Sequence, residues 1–226
     1  MKFKLSFPFR KRVRAEVNHG LLRESITHHL DYLELRRSAA RLHQLCVDGK
    51  IQSIAISSFA RGEGKSLITA CLAVALARNF GKKILVIDTA TYHRTGSVRM
   101  SSIFQLKNAH LGKPTPSPLF PGVDMIRLKD RARTGFYSRD IQDIELVLAE
   151  VENKYDLTLI DTSALELKNR QNYDAQAIAS CVDGVVFVKS RIDLSPELES
   201  QILEDLKSES AQLNIVGVIS NSGAVV

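Results

Sequence analysis

Residues 51–80 read IQSIAISSFARGEGKSLITACLAVALARNF, and the rest of the chain is organised around them. Ile51, Ile54, Ala55 and Ile56 make an apolar, strand-like run, Ser58 to Ser66 make a turn rich in small residues, and Leu67 to Phe80 make a helical run. Lys65 and Ser66 stand where a phosphate-binding loop places its phosphate lysine and its magnesium hydroxyl. Small residues let the backbone bend so that successive N–H groups converge on one anion, and the following helix adds the positive end of its dipole. The candidate nucleotide contacts are therefore Arg61, Gly62, Glu63, Gly64, Lys65, Ser66 and Leu67. The pattern G-x-x-x-x-G-K-[ST] would place a glycine at position 59, where this chain has Phe59. The competing reading is a Gly-rich strand-to-helix turn that binds nothing.

Working outward, Leu67 to Phe80 is apolar on nearly every side, and Gly81 stops it. Lys83 to Asp88 holds Ile84-Leu85-Val86-Ile87, a short apolar run of the kind found in parallel strands buried on both faces. Residues 89–121 are harder to read; a short helix near 97–106 and then a loop crowded with Pro114, Pro116, Pro118 and Pro121 are expected. Strands are expected at 123–128, 157–161, 184–189 and 215–220, with helices at 141–151, 173–181 and 196–206. This alternation predicts an α/β fold: a doubly wound, mostly parallel sheet with helices on both faces.

In such a sheet the ligand lies beyond the carboxyl ends of the strands. Three ends are marked: the phosphate turn, Asp88 and Asp161. Magnesium takes hard oxygen ligands and keeps several waters, so the Ser66 hydroxyl with Asp161 or Asp88 is a chemically sufficient metal set. Asp88 can alternatively accept a proton from an attacking hydroxyl, and either aspartate can instead be a turn or capping residue. Arg61 and Glu63 face either the phosphates or solvent. Asn221, after the last strand, carries an amide able to read an adenine edge or to hold a turn.

On the N-terminal side, Leu30, Leu33, Leu42 and Leu45 recur at helical spacings within 21–45, giving a leading helix packed outside the sheet, with His28, His29 and His43 on its polar or partly polar face. The formal charge is +6, but residues 1–14 hold Lys2, Lys4, Arg10, Lys11, Arg12 and Arg14 and no acid, leaving 25 bases against 25 acids elsewhere. A neutral body argues against nucleic-acid binding. Residues 1–20 are read as a basic tail and 21–226 as one nucleotide-binding domain. Residues 1–14, with Phe3, Leu5, Phe7 and Phe9 between the bases, either meet an anionic membrane surface or an acidic partner, or stay solvated. Cys46, Cys71 and Cys181 are scattered and suit reduced core thiols. No apolar run reaches the length of about eighteen residues that a membrane span requires, and no secretory signal is expected at the N-terminus.

Taken together, Ser57 to Ser66, Ile84 to Asp88, Tyr155 to Thr162 and Asp183 to Val186 resemble the cytoplasmic domain of bacterial tyrosine kinases, P-loop proteins of capsule and exopolysaccharide systems related to the MinD/ParA ATPases. The resemblance spans about residues 30–222 and implies a MinD-like P-loop fold, ATP and Mg2+ as cofactors, and a membrane-embedded polysaccharide co-polymerase or adaptor as partner. It also implies a cytoplasmic location at the inner face of the membrane, and homo-oligomerisation. By resemblance Lys65 and Ser66 belong to the Walker A loop, Asp88 to Walker A′ and Asp161 to Walker B, making Lys65, Asp88 and Asp161 the catalytic candidates. Phe59 is accounted for, because that family commonly lacks the first glycine. Tyr32 with Glu34-Leu35-Arg36 resembles part of the ring-packing helix, and Asn221 falls where relatives contact the base.

Several positions depart from the family pattern. Ala90 stands where Walker A′ normally has a second aspartate, Leu30 and Leu33 stand where the ring helix carries a glutamate and an arginine, and the last tyrosine is Tyr173. The sequence therefore carries two readings, a tyrosine kinase and a nucleotide-dependent switch without catalysis. A MinD/ParA-type positioning ATPase is less favoured, since Ala60 stands where its loop lysine would be.

Overall fold

The computed structural model describes residues 3–7, 26–49, 51–89, 100–106, 113–128, 137–165, 173–190, 200, 204 and 213–221. The strands are β1 (Phe3–Phe7), β2 (Ser53–Ser58), β3 (Ile84–Asp88), β4 (Thr115–Pro116), β5 (Val123–Arg127), β6 (Leu157–Ala164), β7 (Gly184–Ser190) and β8 (Ile215–Asn221). The helices are α1 (Leu33–Val47), α2 (Lys65–Phe80), α3 (Met100–Ile103), α4 (Tyr137–Val151) and α5 (Ala175–Cys181). All eight strands form one sheet in the order β1-β8-β7-β2-β6-β3-β5-β4. Each neighbouring pair is parallel except β4 with β5.

The central strands are buried along their whole length, which is why they read as continuous apolar runs. Their side chains divide by the two-residue period. Ile54, Ile56, Ile84, Val86, Leu157 and Leu159 pack on one face with α1 and α2, whereas Ala55, Leu85, Ile87 and Ile160 pack on the other with α4 and α5. Helix α2 carries an unbroken buried run from Ile68 to Leu76, so it is clamped between the sheet and α1. Burying each of its larger aliphatic side chains contributes on the order of 1.5–3 kcal/mol. Gly81 ends it in the left-handed conformation at φ +63°, donating its N–H to the Ala77 carbonyl.

Four expectations change. Residues 3–7, read as tail, form edge strand β1 in parallel register with β8, pairing Phe3 with Gly217 and Phe7 with Asn221; the alternation Phe3, Leu5, Phe7 is the strand period, and Pro8 lies just beyond it. The leading helix is broken: a helical segment at 26–30 is followed by a turn, with Tyr32 extended before α1 begins. His29 is buried beside the Tyr32 ring rather than on a polar face. Thr115–Pro116 within the proline-rich loop pairs antiparallel with β5, as an edge position permits for proline. Of the helix expected at 196–206 only residues 200 and 204 are described, and both are helical; Ala90 lies outside the described residues. Among the described residues no helix is long and apolar enough to cross a membrane. Cys46, Cys71 and Cys181 are free thiols.

Candidate functional site

Strands β2, β6 and β3 are neighbours, so their carboxyl ends bring together the phosphate turn, Asp161 and Asp88. Register fixes this: Asp161 sits opposite Ile56 on one side and Asp88 on the other. The turn leaves β2 at Ser58 and enters α2 at Lys65. Gly62 and Gly64 have φ of +81° and +89°, the two left-handed positions that curl the backbone. A Cβ on Gly64 would lie 2.5 Å from the Asn221 amide nitrogen, so a side chain there would have to displace that amide as well as adopt the left-handed conformation.

The side chains of the turn are mutually engaged. Lys65 Nζ donates to Ser58 Oγ at 2.7 Å, and Ser58 Oγ donates to the Ala60 carbonyl at 2.7 Å. Thr69 Oγ1 donates to the Lys65 carbonyl at 2.9 Å. Ser66 Oγ donates to Asp161 Oδ2 at 2.6 Å, bringing together two of the three expected magnesium ligands. Thr89 holds the backbone of the third strand end to Asp161, its Oγ1 donating to the Asp161 carbonyl at 2.7 Å. Thr162 Oγ1 in turn donates to the Ile56 carbonyl at 3.0 Å, tying β6 to β2 where the turn begins.

Asp161 is 3% exposed and Asp88 2%. Burial pushes the Asp161 carboxyl up to about 7, and the neighbouring Asp88 charge adds to the rise; the Ser66 hydrogen bond and the Lys65 charge oppose it. Asp161 Oδ1 is buried with no hydrogen-bond partner among the described residues. A buried carboxylate oxygen without a donor, beside a second carboxylate and a serine hydroxyl, fits a hard divalent cation that keeps most of its waters.

Sequence-predicted residues are placed as follows. Gly62, Glu63, Gly64, Lys65, Ser66 and Leu67 lie in the turn and the first turn of α2, and Arg61 is exposed at its tip. Glu63 is 4% exposed, so it does not face solvent, and its Oε2 accepts from the Ala60 N–H at 2.9 Å. Asn221, at the end of β8, is buried and donates its amide to the Glu63 carbonyl at 2.9 Å. Phe59 turns into the core and stacks on Phe187 of β7, with ring centroids 5.2 Å apart and planes 9° from parallel. Ser58 and Thr89 were not singled out from sequence. Their only signal was position, each a hydroxyl closing or following a strand at the sheet's carboxyl edge.

Tyr173, the last tyrosine, is buried, with its hydroxyl 3.5 Å from Asp143. Tyr155 donates to Asp124 at 2.7 Å, and burial with that partner raises its phenol well above the usual range.

Comparison with known proteins agrees with this geometry. The family model described as the CobQ/CobB/MinD/ParA nucleotide binding domain matches residues 54–226. No curated protein sequence matches the chain. The kinase domain of the Escherichia coli tyrosine kinase ETK superposes with a TM-score of 0.73 at 16% identity, over 96% of this chain and 89% of that one. The VpsO kinase domain gives 0.69 at 18% identity over 92% and 98%. The septum site-determining protein MinD of Pyrococcus horikoshii OT3, complexed with Mg-ADP, gives 0.56 at 22% over 75% and 70%. At these identities the structures establish a shared fold. With a phosphate loop, two strand-end aspartates and a family match covering the chain from β2 onward, this protein belongs to the CobQ/CobB/MinD/ParA nucleotide-binding domain family.

Proposed function

We propose that the chain binds ATP with Mg2+ and acts as a bacterial tyrosine-kinase-type protein in polysaccharide synthesis or export, beside a membrane-embedded co-polymerase or adaptor, at the inner face of the cell membrane. The observation that carries this reading is the Ser66 hydroxyl on the Asp161 carboxylate, 2.6 Å apart, directly behind Lys65. Ser66 and Asp161, with Asp88 close by, would hold the cation. When bound, it would neutralise charge on the phosphate oxygens of the nucleotide.

The chain's own groups then have defined tasks. Loop amides and Lys65 stabilise the charge developing on the transferred phosphoryl group, with Lys65 exchanging its Ser58 contact for a phosphate oxygen. Asp88 orients the acceptor hydroxyl and takes its proton as the oxygen–phosphorus bond forms and the bond to ADP breaks. In this reading Arg61, at the exposed tip, would meet phosphate or acceptor, and Asn221 would meet the base.

A second reading has a specific observation in its favour. Ala90 replaces the carboxylate expected two residues beyond Asp88, and loss of that group favours a switch that binds nucleotide and regulates its partner without transfer. The two separate in one assay: purified chain with radiolabelled ATP and Mg2+, with and without the partner's cytoplasmic segment. Label on tyrosine that disappears in Lys65→Ala supports the kinase; saturable binding with no label supports the switch.

A further inference from the structure

We infer that Glu63 is a positioning residue of the phosphate loop, folding the loop into its binding geometry before nucleotide arrives. This rests on the nucleotide-binding reading of the site. The carboxylate accepts from the Ala60 N–H at 2.9 Å, and the Glu63 carbonyl accepts from the Asn221 amide at 2.9 Å, so one residue is tied at both its side chain and its backbone. Ala60 is tied at both backbone groups as well, because Ser58 Oγ donates to its carbonyl. The same Ser58 hydroxyl receives Lys65 Nζ, which links the brace to the phosphate lysine.

Electrostatics makes the placement informative. Glu63 is 4% exposed, whereas Arg61 and Gly62 beside it are exposed. A buried carboxylate inside a loop that gathers anions repels the ligand and loses hydration, so its presence is unfavourable unless it organises something else. What it organises is the backbone at Ala60, three residues back, at the start of the turn. A loop ordered in advance binds more tightly because less conformational freedom is lost on binding.

The test uses the full chain titrated with a fluorescent ATP analogue and Mg2+, together with amide hydrogen exchange of residues 59–66 in nucleotide-free protein, for wild type, Glu63→Ala, Glu63→Gln and Lys65→Ala. Glutamine keeps an oxygen that accepts the same bond while removing the charge. Glu63→Ala is expected to bind about tenfold more weakly, the loss of one charge-assisted hydrogen bond, and to exchange faster across the loop. Glu63→Gln is expected to stay within about threefold of wild type, the spread of a retained neutral bond. Unchanged exchange in Glu63→Ala, or Glu63→Gln losing as much as Glu63→Ala, overturns the inference. Failure of wild type to bind more tightly than Lys65→Ala removes the nucleotide reading instead, and exchange then still decides whether Glu63 orders the loop.

Discussion

Asp88 and Asp161 are register partners on adjacent parallel strands, so two buried carboxylates stand side by side at the carboxyl edge of the sheet. One consequence is a pH-dependent stability in metal-free protein. The Asp161 carboxyl lies near 7 in the folded state against an ordinary 3.8, so the folded state holds its proton more tightly than the unfolded state. Stability from this group is complete below about pH 4 and declines as pH rises towards 7, by up to about 4 kcal/mol. Urea unfolding with chelator at pH 5 and pH 8 should show the lower midpoint at pH 8, and Asp161→Asn should flatten the difference. A wild-type midpoint that is equal or higher at pH 8, with no change in Asp161→Asn, contradicts it.

Gly64 is held by conformation and by Asn221. Gly64→Ala should cost about 1–3 kcal/mol from the positive φ alone, with a further loss from the clash with the Asn221 amide. Adding Asn221→Ala should recover the second part and leave the first. Chemical denaturation of the two single variants and the double variant resolves this; strictly additive losses would show that the two residues do not meet.

Asp183 provides a structural contrast at the opposite end of β2. Its Oδ2 accepts from the Gln52 N–H, the Ser53 N–H and the Ser53 hydroxyl, each at 2.8 Å, fastening the start of β2 to β7. Asp183→Ala should lower stability by about 1–3 kcal/mol while leaving nucleotide affinity within about twofold. Thermal unfolding and a nucleotide titration read the two quantities separately. A large affinity loss at unchanged stability would mean the two ends of the strand are coupled through the sheet.

Much of this architecture is legible in the chain because burial on both faces makes a strand an apolar run and the loop makes its end conspicuous. Ile84 to Asp88 and Leu157 to Asp161 could be read as strands ending in carboxylates for that reason, and the sheet places those ends together. Strand β1 was not legible: five residues that include Lys4, flanked by further bases and followed by proline, look solvated, and the distant partner β8 makes them a strand. The brace around Ala60 was hidden for a related reason. Whether Glu63 faces phosphate, solvent or its own loop depends on torsions that no spacing encodes. Phe59 is the opposite case, since a residue that departs from the motif is explained once Phe187 is seen stacked on it.

The most direct test of the account is equilibrium titration of the full chain with a fluorescent ATP analogue, with Mg2+ and with chelator, for wild type, Lys65→Ala and Asp161→Asn. Wild type should bind more tightly with Mg2+ present. Lys65→Ala should weaken binding by roughly tenfold to a hundredfold, the range for one charge-assisted contact. Asp161→Asn should abolish the benefit of Mg2+ while retaining metal-free binding. Equal affinity of all three proteins, or a Mg2+ effect that survives unchanged in Asp161→Asn, would contradict the assignment of the Ser66–Asp161 pair as the centre of a nucleotide site.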